Sequence, residues 1–293
     1  MAFLPRNAPA VFLAVSLLFW GSAFPGIRRA LAAYDPGHLA VVRLSVASLA
    51  LALVALLSGI RRPRVRDLPG IALLGLSGFT VYHIALNYGE QTVTAGAASF
   101  LLSLAPILAI LWAMLLTRER PAPQTWGGVA VCMVGAVLIA FSESGGVRFG
   151  AGTLLVMLAA FGGGLYVALQ KFYLARYSAF ELVAYAMWFG TLGTLPFAPG
   201  VVATVQAAPL RATLAVVYLG LFPAALAYLA WGYALKHFSV ARATSFLYLI
   251  PGVAVVIGWI WLGELPRLLS LAGGGVALTG VIIVNNVRKK PET

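Results

Sequence analysis

The sequence predicts an all-α membrane protein of ten transmembrane helices, arranged as two inverted five-helix repeats. Three observations carry that reading. The 293-residue chain is 61% hydrophobic and only 10% charged, whereas a soluble domain carries about 25% charged residues. Apolar stretches of bilayer-crossing length, about 20 residues, recur from one end to the other. Residues 75–136 also return as residues 220–281 at a constant offset of 145, without a gap. Small apolar matches such as Ala85/Ala230 and Leu102/Leu247 arise readily from composition. Pro106/Pro251, Glu119/Glu264 and Pro121/Pro266 do not, because both residue types are scarce here. Two copies of one unit in so apolar a chain point to a carrier built from repeats.

The stretches lie at 9–31, 37–58, 69–89, 95–117, 122–141, 151–170, 179–198, 212–235, 241–262 and 268–287, and six of these windows hold no charged residue. Long runs without alternation do not suit a β-barrel. The first resembles a signal peptide, with Arg6 as basic region and Gly21-Ser22-Ala23 as cleavage site. At offset 142, however, Leu13, Phe19, Gly21 and Phe24 align with Leu155, Phe161, Gly163 and Tyr166, which makes it the first helix of the first unit. The units then span 9–141 and 151–287, with 288–293 as a basic tail, and the second unit gains a few residues in its Pro199–Pro209 loop.

Taken in order, the helices differ in what they offer. The first carries Trp20, Phe24 and Pro25 in a run of breakers (Trp20 to Gly26) that predicts an interrupted span. Arg43, about six residues into the second, is read as snorkelling to the headgroups, with pairing to Glu90 as the other option. The third brings Phe79, Tyr82, His83, Leu86 and Asn87 onto adjoining faces; its buried histidine is either a hydrogen-bonded structural residue or a proton carrier of near-neutral pKa. The fourth sets Ser99, Ser103 and Pro106 on one face at helical spacing. The glycines of the fifth (127, 128, 135) and tenth (273, 274, 275, 280) mark closely packed elements without substrate contact. In the sixth, Gly162-Gly163-Gly164 precedes Tyr166; in the seventh, Glu181 lies near the helix end. The eighth holds Pro223, Tyr228 (the repeat mate of His83) and Trp231. The ninth repeats the polar stripe as Thr244, Tyr248 and Pro251, with Ser245 adjacent.

Five helices per unit turn the second copy upside down relative to the first. Basic residues concentrate in cytoplasmic loops. With both termini inside, fourteen lysines and arginines fall on the cytoplasmic side and five (Arg28, Arg29, Arg148, Arg211, Arg267) outside. The formal charge of +12 therefore reads as topology and contact with anionic membrane lipid, not as nucleic-acid binding. Cys132, the single cysteine, lies mid-helix and forms no intramolecular disulfide.

No phosphate-binding loop is present, since none of the four lysines follows a glycine as that motif requires. The three histidines are scattered without metal-ligand spacing, and no carboxylate pair sits inside a predicted helix. The expectation is a transporter, with no cofactor and no metal, rather than a membrane enzyme. Inverted repeats put the substrate site at mid-membrane between the units. Candidate contacts are Trp20, Phe24, Phe79, Tyr82, His83, Ser99, Ser103, Tyr166, Tyr228, Trp231, Thr244, Ser245 and Tyr248, with Pro25, Pro106 and Pro251 as hinges.

Several of these segments resemble the drug/metabolite transporter superfamily, in particular its EamA-type tandem repeat. They are Trp20-Gly21-Ser22, Val42-Arg43-Leu44, Ser99–Pro106 leading to Arg118-Glu119-Arg120, and Phe246-Leu247-Tyr248-Leu249-Ile250-Pro251 through Gly263-Glu264. The likeness covers residues 10 to 287. It implies ten helices with both termini inside. The first, third, fourth, sixth, eighth and ninth line the cavity, and the fifth and tenth support the packing. It further implies bacterial inner-membrane export of amino acids or related metabolites, as in YddG-like exporters of aromatic and other neutral amino acids. Phe161-Gly162-Gly163-Gly164 departs from the pattern, which usually has a tryptophan there. A multidrug or lipophilic-cation exporter on the same fold is the alternative, to be marked by a membrane-embedded carboxylate.

Overall fold

The computed structural model describes residues 7–93, 98, 101–144, 150–262 and 267–286. Among them there is no strand. The long helices are α1 (Ala8–Leu31), α2 (Pro36–Ser58), α3 (Val65–Gly89), α4 (Ala105–Leu116) and α5 (Pro123–Ser144) in the first half. In the second half they are α6 (Ala151–Tyr173), α7 (Ala179–Gly193), α8 (Leu210–His237), α9 (240–262) and α10 (Leu268–Asn285), with a short helix Val201–Ala207 before α8. Seven described helices are long and apolar enough to cross a bilayer. Their outer faces stay apolar, Leu56 being 84% exposed, as lipid rather than water requires.

Local chemistry sets the ends. Asp35 accepts the Gly37 N–H at 2.8 Å ahead of Pro36, which fills a position whose own N–H would go unused. Gly59 stops α2 with φ +74°. Ser178 and Glu181 form a reciprocal capping box at the start of α7, so Glu181 serves its own helix.

Departures from regular helix are of two kinds, and neither falls where the first helix predicted one. The run around Pro25 does not interrupt α1, which is continuous from Ala8 to Leu31; the carbonyl that loses its partner is that of Gly21, where α1 packs tightly on Val253. The matched prolines do not sit in helix interiors either. Pro106 and Pro251 stand in the first turns of Ala105–Leu116 and Ile250–Leu262, where a missing N–H costs nothing. The break precedes them, at Ser103–Leu104 in one copy and in the 3₁₀ turn Phe246–Leu249 in the other. Finally, α3 and α8 each carry a π-helical segment, Leu76–Val81 and Gly220–Leu226. At the offset of 145 they fall on the same register.

Close contacts repeat reciprocally between the halves. Gly128 faces Gly280 and Gly135 faces Gly273, while Cys132 lies against its own repeat mate Ala277, with Sγ 3.5 Å from the Ala277 carbonyl. Gly75 packs on the Ala186–Gly190 turn of α7, and Gly220 on Arg43 and Val46 of α2. Gly21 meets Val253 and Ala254, whereas Gly164 meets Leu108 and Ala109. The last pairs match α1 with α6 at an offset of 143, not 142: Gly21 corresponds to Gly164 and Trp20 to Gly163. Buried faces agree, since Leu13, Ser16 and Leu17 fall on Val156, Ala159 and Ala160. The glycine-rich α5–α10 pair makes the most extensive helix contact in the bundle, as expected where small residues let backbones approach.

Candidate substrate cavity

Between the halves lies a cavity of about 130 Å³. The first half contributes Trp20, Ala23, Phe24 and Ile27 from α1, Arg43 from α2, Gly78, Tyr82 and Leu86 from α3, and Leu102, Ser103, Ala105 and Pro106 around the start of α4. The second half contributes Gly163, Tyr166 and Val167 from α6, Tyr228 and Trp231 from α8, and Leu247, Ile250 and Pro251 from α9. The helices are those the family resemblance implies, with α2 in addition.

Aromatic rings hold the wall in shape. Trp20 meets Tyr228 at 5.1 Å and Trp231 at 5.3 Å, and its Nε1 donates to the Pro223 carbonyl at 3.1 Å. Tyr228 meets Tyr166 edge-on at 5.5 Å. Such tilted pairs suit the ring quadrupoles. Gly78 makes room for the Tyr166 ring: a Cβ there would come within 2.7 Å of the Tyr166 Cβ.

Among the predicted contacts, Trp20, Phe24, Tyr82, Ser103, Tyr166, Tyr228 and Trp231 line the cavity, as do the prolines 106 and 251. Others stand behind the wall. Phe79 and His83 are fully buried; Phe79 packs on Tyr166 at 5.3 Å and Tyr228 at 4.7 Å. His83 Nδ1 donates to the Phe79 carbonyl at 2.9 Å, leaving Nε2 buried without a protein partner among the described residues. Thr244, Ser245 and Tyr248 are also fully buried and absent from the lining. Thr244 and Ser245 donate to their own helix at Val240 and Arg242, and Ser245 accepts from Asn285 of α10. The reason is the 3₁₀ turn. With three residues per turn, the inward face passes through Leu247 and Ile250 instead of the α-helical step from Thr244 to Tyr248. Pro25 follows Phe24 in α1 without lining the cavity, and Ser99 lies outside the described residues.

Arg43 corrects the sequence reading most. Its side chain does not snorkel: the residue is 3% exposed and lines the cavity. Nor does it pair with Glu90 within 4 Å, the ion pair found among the described residues being Arg176–Asp67. Tyr82, Tyr228 and Glu90 are its electrostatic neighbours. Arg43 Nε, Tyr166 OH and Trp231 Nε1 are all buried without a protein partner among the described residues. Among the described residues, no carboxylate lines the cavity.

At the end of the bundle carrying the Arg61–Arg66 loop, polar contacts tie the halves together. Asp67 accepts from Arg176 at 2.7 Å and from the Tyr177 hydroxyl at 2.8 Å, which itself accepts from the Arg64 N–H at 3.1 Å. Burial holds the Tyr177 phenol above its ordinary pKa, so it remains a donor at neutral pH. Tyr185 donates to the Arg61 carbonyl.

An all-helical bundle, apolar outside and enclosing an aromatic cavity between two like halves, defines a membrane transporter. The EamA-like transporter family matches residues 8–141 and again 150–286, and the chain belongs to it. It is similar to a probable terminal-alkyne amino-acid exporter of Streptantibioticus cattleyicolor, with 44% identity over 93% of this chain and 92% of that one. The uncharacterized transporter YdfC of Bacillus subtilis is 42% identical over 89% of this chain and 86% of its own. A crystal structure sharing 18% identity superposes on 99% of the chain and all of its own length, with a TM-score of 0.78, and so shares the fold. The chain is thus a multi-pass transporter of the drug/metabolite superfamily and not an enzyme.

Proposed function

We propose that the protein exports small metabolites, foremost amino acids with neutral or aromatic side chains, across a bacterial inner membrane by alternating access. Its scaffold is ten spanning helices in two inverted five-helix repeats, with both termini cytoplasmic. The cavity between the halves carries this reading: its wall of tryptophan, tyrosine and phenylalanine suits an apolar side chain, and its polar atoms suit a small charged head. A volume of about 130 Å³ falls short of the roughly 300–1,000 Å³ of drug-sized sites, which favours a small solute. The similar S. cattleyicolor protein, named as a probable amino-acid exporter, supports the same class. The reciprocal glycine contacts support a two-fold relation of the repeats, and the fourteen-to-five distribution of basic residues supports the orientation.

Trp20, Phe24, Tyr82, Ser103, Tyr166, Tyr228 and Trp231 form the contacting wall in this reading, with Phe79 and His83 stiffening it from behind. A lipophilic-cation exporter would need a carboxylate in the lining; the lining holds a guanidinium instead. The test is counterflow in proteoliposomes with individual labelled amino acids, including one bearing a terminal alkyne. Saturable exchange of at least one neutral amino acid is expected. Exchange of organic cations alone would reject the assignment.

A further inference from the structure

We infer that Arg43 is the anchor for the carboxylate of the transported solute. The inference rests on reading the cavity as the transport site, and it names the chemistry that site selects. A guanidinium that is 3% exposed, has no carboxylate within 4 Å among the described residues and keeps Nε unpartnered is a desolvated cation short of a counter-ion. It lies on the cavity wall, where a ligand can supply the missing charge.

The fold does not need this charge. The reciprocal packing of Gly220 on Arg43 and Val46, and of Gly75 on Ala186 and Phe189, superposes Arg43 on Ala186 in the other copy. One repeat thus runs the same helix contact with a methyl group where the other carries a guanidinium. A cation retained on the cavity side of only one copy points to a ligand that is itself asymmetric, polar at one end and apolar at the other.

The neighbouring polar atoms point the same way. Trp231 Nε1 can only donate, and Tyr166 OH is an available donor; both are buried and unpartnered among the described residues. The hydroxyl-bearing Tyr82 and Tyr228, with Glu90, are the electrostatic neighbours of Arg43. A planar fork beside the Tyr82 and Tyr228 side chains, on a wall that holds further donors, is complementary to a flat anion with two acceptor oxygens, which a guanidinium binds through two parallel hydrogen bonds. Trp20 and Phe24 then face the apolar remainder. Glu90, whose Oε1 is buried without a partner among the described residues, lies outside the lining and is the rival counter-ion.

The experiment uses the full chain, purified in detergent and reconstituted. Ligand-induced thermal shift and competition against a transported labelled amino acid are read with three isosteres: L-phenylalanine, L-phenylalaninamide and 3-phenylpropionate. Chloride and inorganic phosphate form the control arm. The wild type is expected to prefer the two carboxylates over the amide by tenfold or more. Arg43→Gln should reduce that preference to within twofold at an unchanged unfolding temperature. Arg43→Lys keeps the charge but loses the fork, and should fall between; it also decides the matter if Arg43→Gln fails to fold. Glu90→Gln should leave the preference intact.

A wild type that binds the amide as well as the acids, a preference that survives in Arg43→Gln, or equal displacement by chloride or phosphate would each overturn the inference. So would a preference lost equally in Glu90→Gln, which would make Arg43 a partner of Glu90. The two readings fail separately. Arg43-dependent binding of carboxylates without amino-acid exchange rejects the amino-acid assignment and upholds the anchor. Amino-acid exchange with an Arg43-independent preference does the reverse.

Discussion

Gly78 has no side chain where the Tyr166 ring stands, and the cavity wall depends on that vacancy. Gly78→Ala would set a methyl 2.7 Å from the Tyr166 Cβ, so the ring must swing towards the cavity. The expected result is normal insertion with flux down about tenfold, equivalent to roughly 1.4 kcal/mol; unchanged counterflow would mean that Tyr166 is free to move. Residues one layer apart should also behave differently. Tyr82 faces the cavity, whereas His83 is buried behind it and held by the Phe79 carbonyl. Tyr82→Ala is expected to lower flux about tenfold, while His83→Gln, which keeps a donor for that carbonyl, should retain most of it. A pH-gradient response lost in His83→Gln with exchange preserved would restore the proton-carrier reading. Sequence spacing told which residues share a helix face but not which of two adjoining faces turns inward. That is why Phe79 and His83 stood beside Tyr82 as equal candidates. For Arg43, depth along the helix favoured snorkelling; rotation about the axis, which only packing fixes, decided against it.

At the scale of the element, the departures from regular helix were the least legible part of the chain. Each depends on contacts with the other copy. A 100° period cannot reveal that α3 and α8 both widen into a π turn, because Gly78 and Pro223, which occupy the same repeat position, share no composition cue. The stripe Thr244–Tyr248–Pro251 assumed 3.6 residues per turn throughout; the 3₁₀ turn Phe246–Leu249 turns Thr244 and Tyr248 away from the cavity and leaves Pro251 on its wall. By contrast, the repeat-matched glycines of α5 and α10 (128, 135, 273 and 280) do pack closely, whereas Gly127, Gly274 and Gly275, which lack a glycine mate in the other copy, face open space and correct the sequence reading. Gly135→Leu would drive its side chain into the α10 backbone, with a Cβ already 2.6 Å from the Gly273 carbonyl oxygen. We expect a loss of about 1–3 kcal/mol of stability, read as a lower unfolding temperature in detergent, with substrate preference intact in what still folds. The Asp67 contacts can be tested in the same spirit. Arg176 is 37% exposed in its pair with Asp67, so solvent screening limits the pair to roughly 1 kcal/mol or less. Asp67→Asn should shift the opening equilibrium at that end by no more than about fivefold. A cysteine placed at buried Gln170, with Cys132→Ala to remove the native thiol, gives the readout: faster alkylation from that side is expected, and an unchanged rate would make the contact merely structural.

The whole molecule was the most legible level, because duplication and charge act over its full length. The repeat was visible in scarce residues such as Pro106 and Pro251, and the structure returns it as paired contacts, down to Cys132 resting on its own mate Ala277. One register slipped: α1 matches α6 at 143 because glycine, common in both helices, aligned equally well one residue away. That slip moves Trp20 onto Gly163, so the ring on one side of the cavity faces an open backbone on the other. Together with Arg43 opposite Ala186, this makes the cavity asymmetric within a repeated frame, which suits the two-ended solute proposed above. Orientation remains a matter of charge rather than of packing. Four arginines lie between positions 61 and 66, and three basic residues stand together at 288–290; moving either group across the membrane would oppose the rule that basic loops stay inside. A reporter in the 61–66 loop and another after Lys290 should therefore both read cytoplasmic, and one after Glu143 should read external. In the proposed arrangement five helices separate corresponding points of the copies, so these three fusions test the inversion as well as the count. An external signal at Lys290 with a cytoplasmic one at the 61–66 loop would require an odd number of crossings between them, which two five-helix units cannot supply.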